Sequence, residues 1–149
     1  MHSRLSRRAF LTTTAGAATV LATRRFARAA DNSFSGFNVG MQSYTLRQFP
    51  VDRALDEIHK LGLKTVEFFD AHFKSKSSDA EIDQMKARTS ALGIKILAHG
   101  VNPFTKDHEA NRRWFEFARK AGIRNLSADP TEDSFDSLDK LCEEYHTIN

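Results

Sequence analysis

The sequence contains almost no cysteine and, beyond its first 30 residues, no long hydrophobic run. Its 149 residues include a single cysteine, Cys142, which excludes an internal disulfide, and no Cys/His cluster has zinc-finger spacing. Because no apolar run of roughly 18 residues follows the first 30, no membrane-spanning helix is expected there. The length suits about one domain, and twelve phenylalanines with a 40% hydrophobic content argue against disorder.

Acidic side chains are missing from the first 30 residues, which carry six arginines. Without that segment the chain has 16 basic and 19 acidic residues, a net charge of −3 in place of the +3 of the whole sequence. The basic character therefore belongs to the N-terminal segment and does not indicate a nucleic-acid-binding surface. We expect no nucleic-acid partner.

The N-terminal segment carries paired arginines ahead of a weakly apolar stretch. The pair Arg7-Arg8 is followed by an aromatic residue, a leucine and that stretch, and an Ala-Arg-Ala site that suits cleavage ends at Ala29. This pattern resembles a twin-arginine (Tat) export signal, and the resemblance implies recognition by the Tat translocase, export to the periplasm and no stable membrane anchor. We therefore interpret residues 1–29 as a signal peptide and 30–36 as a linker. A short amphipathic helix or a disordered basic tail is the alternative.

Three similar glycine-containing tetrapeptides punctuate the rest of the chain at intervals of 31 and 29 residues. They are Leu61-Gly62-Leu63-Lys64, Leu92-Gly93-Ile94-Lys95 and Ala121-Gly122-Ile123-Arg124. Each follows a segment of helical periodicity, whose last turn a glycine can close, and each precedes a short apolar run. A spacing near thirty residues is typical of a β/α unit.

We therefore predict an α/β protein of four β/α units. Strands are expected over residues 37–44, 65–69, 94–99 and 125–128. The four helices are expected to bury apolar stripes: Ala54, Leu55, Ile58 and Leu61; Ile82, Met85 and Leu92; Ala110, Trp114, Phe117, Ala118 and Ala121; Phe135, Leu138, Leu141, Cys142 and Tyr145. The second helix should begin at a capping box formed by Ser78 and Glu81.

This order of elements suits either an open doubly wound sheet or part of a (β/α)8 barrel. No glycine-rich phosphate loop follows the first strand, which disfavours a nucleotide-binding doubly wound sheet. A small flavodoxin-like domain would also leave unpaired strand edges that are prone to aggregation.

Four short motifs lie in register with the β/α repeat. They are GMQSYTLR at 40–47, LKTVEFF at 63–69, FTKD at 104–107 and LSADP at 126–130. All four are similar to the sugar phosphate isomerase/epimerase family, the xylose isomerase-like TIM barrels, whose exported members carry Tat leaders. The resemblance implies that residues 37–149 form the first four of eight β/α units, an N-terminal half barrel or fragment, since a complete barrel needs about 250 residues.

The resemblance also implies a reaction and a cofactor. Members of the family move a proton or hydride between adjacent carbons of a small carbohydrate, assisted by a divalent metal (Mn, Mg, Zn or Co). The metal ligands come from strands five to eight, so we expect them beyond residue 149 and none in this chain. Whether the chain is itself an isomerase or epimerase therefore stays open. The alternative is an exported, non-catalytic carbohydrate-binding module or a degenerate half-barrel remnant. If 149 residues is the true length, we expect the protein to self-associate.

Candidate site residues are the polar side chains expected near the carboxyl ends of the strands, where (β/α)8 barrels hold their reactions. With the resemblance, they comprise two catalytic candidates, Glu67 and His99, and four substrate-binding candidates, Gln42, Tyr44, His72 and Asp129.

Several of these candidates have equally ordinary structural explanations. Glu67 would cover an interior layer of side chains, and both ring nitrogens of His99 would be hydrogen-bonded within the fold. Tyr44 would serve in packing, His72 would be a solvated loop residue, and Asp129 before a proline would form a turn.

Overall fold

The computed structural model describes residues 34–146 and 148–149. Arg7, Arg8 and Ala29 of the expected signal peptide lie outside the described residues. The chain divides into two compact units, Met1–Phe37 and Asn38–Asn149. The described part of the first unit is a turn, in which the Phe37 amide donates to the carbonyl of Phe34 (3.0 Å). No helix in the described ranges has the length and hydropathy to cross a membrane.

The second unit is a parallel four-stranded sheet with helices between the strands. The strands are β1 (Gly40–Gln42), β2 (Thr65–Phe68), β3 (Lys95–Phe104) and β4 (Asn125–Pro130), and the helices are α1 (Val51–Lys60), α2 (Asp79–Ala91), α3 (His108–Ala121) and α4 (Phe135–Glu144). The strands lie in chain order, and every neighbouring pair is parallel. The α/β class and the repeated β/α unit are confirmed. The order corresponds to a half-barrel-like arrangement, since doubly wound sheets reverse their strand order.

Local signals in the sequence fix where the helices begin and end. The Ser78 hydroxyl accepts from the Glu81 amide (3.4 Å), and the Glu81 carboxylate accepts from the Ser78 amide (2.7 Å), so the predicted capping box is confirmed. Helix α3 is followed directly by Gly122, whose φ of 71° lies in the left-handed region that glycine occupies without strain. The next residue, Ile123, then turns inward and is 2% exposed.

The core lies between the sheet and its helices. Val66 and Phe68 of β2 are buried, as are the predicted Ala54, Leu55 and Ile58 of α1. Burying a side chain the size of leucine or phenylalanine stabilises a fold by roughly 1.5–3 kcal/mol. Because alternate residues of a strand point to opposite faces, the residues between these buried ones point to the face of the sheet that the helices do not cover.

The predicted helical stripes are wrong at three positions. Leu61 is 57% exposed because it follows the last residue of α1, where the chain leaves the helix. Phe135 is 53% exposed and is the first residue of α4. Cys142 is exposed because Leu141 and Tyr145, one turn apart, define the buried stripe of α4.

The strand boundaries also differ from those predicted. β1 is shorter, because Ser43–Leu46 forms a 3-10 turn whose Ser43 hydroxyl accepts from the Phe69 amide (3.1 Å). β3 is longer and continues to Phe104, with irregular register on both sides. One consequence is that His99 lies in the middle of β3.

Asn149 occupies the position of a further strand beside β4. Its amide donates to the carbonyl of Arg124 (2.7 Å), and its carbonyl accepts from the amide of Leu126 (2.8 Å). These two bonds bracket Asn125 in the pattern of a parallel ladder.

Candidate functional site

The sheet face opposite the helix-packed layer carries the polar side chains. In the ladder Gln42 lies beside Glu67, Glu67 beside Ala98, and Ala98 beside Asn125. These positions alternate with buried Val66 and Phe68, so they point away from the helices. Apart from Ala98, they are partly exposed. This surface, which we call the polar face, is the candidate site.

A hydrogen bond between Glu67 and Ser127 lies at its centre. The Ser127 hydroxyl on β4 donates to Oε1 of Glu67 on β2, at 2.5 Å. Among the described residues none donates to the other carboxylate oxygen, Oε2. A carboxylate fixed through one oxygen keeps the second available to accept a hydrogen bond or a proton.

Gly100 makes this contact across β3 possible. A Cβ at Gly100 would lie 2.5 Å from the Ser127 Cβ and 2.7 Å from the Ser127 carbonyl oxygen. The Gly100 carbonyl also accepts a long hydrogen bond from Nε2 of Gln42 (3.4 Å). Gln42, Glu67 and Ser127 therefore converge around one glycine.

Ser127 is the member of this group that was not among the site predictions. It belongs to the LSADP motif at 126–130, two residues before the predicted Asp129. Strand alternation would place it on the same face as Asn125. That alternation was the signal in the sequence that could have identified it.

His99 lies on the helix-packed side of the sheet and not on the polar face. Its ladder neighbour is buried Phe68, and the ring has no exposed surface. The two ring nitrogens lie 2.8 Å from Oδ1 of Asn102 and 2.9 Å from the carbonyl of Phe73. The ring also contacts Trp114 and Phe117 of α3. This arrangement ties β3 to the loop after β2 and leaves no nitrogen for a ligand.

Tyr44 and His72 lie with Phe69 in an aromatic group at the carboxyl ends of β1 and β2. Tyr44 is 51% exposed and meets the Phe69 ring edge-on, with the Arg47 guanidinium over its own ring. The His72 ring also packs against Phe69, with 4.4 Å between the two ring centres. It is only 8% exposed, so it is not a solvated loop residue.

Asp129 lies on β4, two strands from Glu67 on β2. It lies beside Pro103 of β3 and is exposed. The structure therefore brings Gln42 and Glu67 onto neighbouring strands, and it places Asp129 two residues after Ser127 on β4.

The clear pKa shifts belong to groups outside the polar face. A hydrogen bond from Arg112 lowers the pKa of Glu144, and the bonds from Ser78 lower the pKa of Glu81. Desolvation, followed by the nearby Asp139 charge, raises the pKa of the Cys142 thiol. The two carboxyl shifts reflect a surface ion pair and a helix cap, and the thiol shift reflects desolvation.

The described residues do not form a divalent metal site by themselves. Within 34–146 and 148–149 no three His, Cys, Asp or Glu side chains come together as metal ligands would. Glu67 has a hydroxyl as its neighbour in the polar face, and His99 uses both nitrogens elsewhere. The metal implied by the family resemblance therefore does not fit this set of residues alone.

Comparison with known proteins gives a structural likeness. No protein-family model matches the chain, and no curated protein matches it. The chain is similar to the crystal structure of an uncharacterised protein from Parabacteroides distasonis ATCC 8503, with 25% sequence identity and a TM-score of 0.67. The match covers 74% of this chain and 50% of the other, so this chain spans about half that protein's length.

Proposed function

We propose that the polar face is part of the carbohydrate site of a sugar isomerase or epimerase with a TIM-barrel fold. The observation that carries the proposal is the Glu67 carboxylate, held by the Ser127 hydroxyl on the face turned away from the helices. In a (β/α)8 barrel that face becomes the barrel interior. The strand order and the spacing of the β/α units support this arrangement.

The neighbouring groups suit a ligand with many hydroxyls. Gln42 and Asn125 provide amide donors and acceptors, and the Ser127 hydroxyl can also do both. Hydrogen bonds from such groups orient a sugar, because each hydroxyl both donates and accepts. The exposed Tyr44 ring at the end of β1 provides an apolar surface for the ring carbons.

Glu67 is the group that we assign to proton transfer. Its carboxylate would remove a proton from a carbon next to the sugar carbonyl, and the electron pair of that bond would form an enediolate with the negative charge on the former carbonyl oxygen. Return of the proton to the neighbouring carbon, with transfer of the hydroxyl proton to the former carbonyl oxygen, isomerises the sugar. Protonation of the same carbon on its opposite face, by water or a second acid, epimerises it. Ser127 would hold the carboxylate in place during both steps.

His99 has a supporting role in this proposal. Its buried ring fixes the loop that follows β2, and that loop carries His72 and the Phe69 ring beside Tyr44. We therefore assign the ligand contacts to the polar face and to Tyr44, and a stabilising role to His99. The divalent metal of the family would need ligands other than those of the described residues, and the role of Glu67 is inferred from this chain alone.

The direct test combines binding with isotope exchange. The protein would be titrated with a panel of aldoses and ketoses in D2O, and NMR would record binding and deuterium incorporation beside the carbonyl. We expect saturable binding, with incorporation lost in Glu67→Gln and retained in Glu143→Gln, an exposed carboxylate on α4. Binding without incorporation in the native chain would indicate the carbohydrate-binding module. Absence of any binding would contradict the proposal.

We also propose export through the Tat pathway, which rests on the Arg7-Arg8 motif. Replacing both arginines by lysine keeps the charge and removes the guanidinium pair. The variant should stay in the cytoplasm of a Tat-competent bacterium and keep its leader, whereas the native chain should be cleaved after Ala29. Periplasmic recovery of the lysine variant would contradict this proposal.

A further inference from the structure

A cleft of about 360 Å³ lies between α2 and α3, beside the loop that precedes α2. Its lining comes from three places: Ser75, Lys76 and Ser77 of the loop, Ile82 of α2, and residues of α3 between Ala110 and Lys120. A cavity of this size falls within the range of small-molecule pockets. None of the lining residues belongs to a strand, so the cleft is distinct from the polar face.

Trp114 provides the accessible aromatic surface of the cleft. Its ring packs against the buried His99 ring, with 5.7 Å between the ring centres, so the core fixes its position. Trp114 itself is partly exposed, whereas Ile82 and Phe117, which also line the cleft, are only 2% and 3% exposed. The ring that a ligand can reach here is therefore the indole, and indole stacks favourably on another flat ring.

The cations of the lining outnumber its acids. Lys76, Arg113 and Lys120 line the cleft together with one carboxylate, that of Glu116. Nζ of Lys120 lies 2.7 Å from Oδ1 of Asp79, so the charge of this lysine is already paired. Lys76 and Arg113 are exposed, and neither forms an ion pair within the described part of the chain. Their two charges against that of Glu116 leave one positive charge, which a monoanion balances.

Ser75 provides a hydrogen-bond donor beside these charges. Its amide donates to Oδ1 of Asp70 (2.9 Å), which fixes the loop. Its hydroxyl forms no hydrogen bond with the described residues and is accessible to solvent, and the same holds for the indole N–H of Trp114. Because both donors are accessible, a ligand in the cleft can reach them.

The ring and the charge together decide the class of ligand. A neutral aromatic compound would partly desolvate Lys76 and Arg113 without supplying a counter-charge, and a metal ion would meet a cationic lining. A phosphate dianion would bring a second negative charge beside Glu116. An aromatic monocarboxylate places its ring on the indole, and its two oxygens accept hydrogen bonds from the cations and the Ser75 hydroxyl.

We propose that the α2–α3 cleft binds a small aromatic monocarboxylate, whose ring stacks on Trp114 and whose carboxylate pairs with Lys76 and Arg113. Trp114 is the single tryptophan of the sequence, so its fluorescence reports on this cleft directly. The test is a fluorescence titration of the protein with benzoate, with excitation restricted to tryptophan. We expect a saturable change, whereas free N-acetyltryptophanamide should show only linear quenching.

Three further probes separate the ring from the charge. Benzamide keeps the ring but loses the charge, and it should bind about tenfold more weakly than benzoate, the combined effect of two partly exposed ion pairs. Acetate keeps the charge but has no ring, so it should not saturate. Phenyl phosphate carries a second charge and should bind no more tightly than benzoate.

Substitutions of the charged lining residues should act in opposite directions. Lys76→Gln and Arg113→Gln should each weaken benzoate binding about threefold, which is the contribution of a partly exposed ion pair. Glu116→Gln removes the carboxylate of the lining and should strengthen binding by a similar factor. Lys106→Gln changes an exposed lysine outside the lining and should leave the titration unchanged.

Four results would overturn the proposal. One is a fluorescence change with benzoate that stays linear, as in the free tryptophan compound. A second is benzamide binding as tightly as benzoate, and a third is phenyl phosphate binding more tightly than benzoate. The fourth is a Lys106→Gln protein that loses as much affinity as Lys76→Gln and Arg113→Gln, because binding would then follow the net charge of the protein and not this cleft.

Discussion

The Ser127 hydroxyl reaches the Glu67 carboxylate across an intervening strand, at 2.5 Å. Side chains on β2 and β4 meet in this way because β3 presents Gly100 between them, and a glycine has no side chain to separate them. The contact links the two halves of the sheet on the polar face. Its consequences can be tested before any substrate is known.

Gly100→Ala should destabilise the protein. The new Cβ would lie 2.5 Å from the Ser127 Cβ, so β3 and β4 would have to move apart. Overpacking of this kind costs about 1–3 kcal/mol. Urea unfolding measures the loss, and Ser90→Ala on the exposed side of α2 is the control. Equal stability of the two variants would show that the strands do not approach this closely.

Ser127 and Glu67 should show energetic coupling. We expect a double-mutant cycle of Ser127→Ala and Glu67→Gln to give about 1–2 kcal/mol at neutral pH, since the bond has a charged acceptor. Ser127→Thr keeps the hydroxyl and should retain most of the stability. Additive effects of the two single substitutions in urea unfolding would disprove the coupling.

His99→Phe should reduce stability without affecting ligand binding. The substitution keeps a ring of similar size but leaves Oδ1 of Asn102 and the Phe73 carbonyl without the partner that the imidazole provides. Each buried polar group left unpaired costs about 1–3 kcal/mol. Thermal unfolding measures the loss, and sugar titration of the folded protein provides the comparison. A stable variant with abolished sugar exchange would instead assign His99 a catalytic role.

The sequence predicted the repeat better than it predicted the site. Glycines after helices and alternation in β2 are local signals, and both led to the observed elements. The extent of β3 could not be predicted from local signals, because an irregularity in its pairing with β2 shifts the alternation just before His99. Gly100 and Pro103 are residues typical of loops, so the second half of the strand was not predicted as a strand. The prediction consequently placed His99 at a strand end.

Glu144 should make stability depend on pH in the acid range. The hydrogen bond from Arg112 lowers the pKa of Glu144 from its ordinary 4.5, so the folded state favours the carboxylate. The stabilisation is present above the unfolded-state pKa and is lost as pH falls through the lower folded-state value. The stability difference between the native chain and Glu144→Gln should therefore shrink on acidification. A difference that stays constant down to acid unfolding would contradict the ion pair.

Cys142 should react with a thiol reagent in the native protein. Its side chain is exposed on α4, whereas helical periodicity had placed it in the core. Desolvation and the Asp139 charge raise the thiol pKa, so less thiolate is present at neutral pH than in a free cysteine. Labelling by Ellman's reagent should thus be complete but slower than that of free cysteine, and it should accelerate in Asp139→Asn. A reagent in solution attacks only a thiolate that it can reach. Labelling that occurs only after denaturation would therefore show that Cys142 is buried, as helical periodicity predicted.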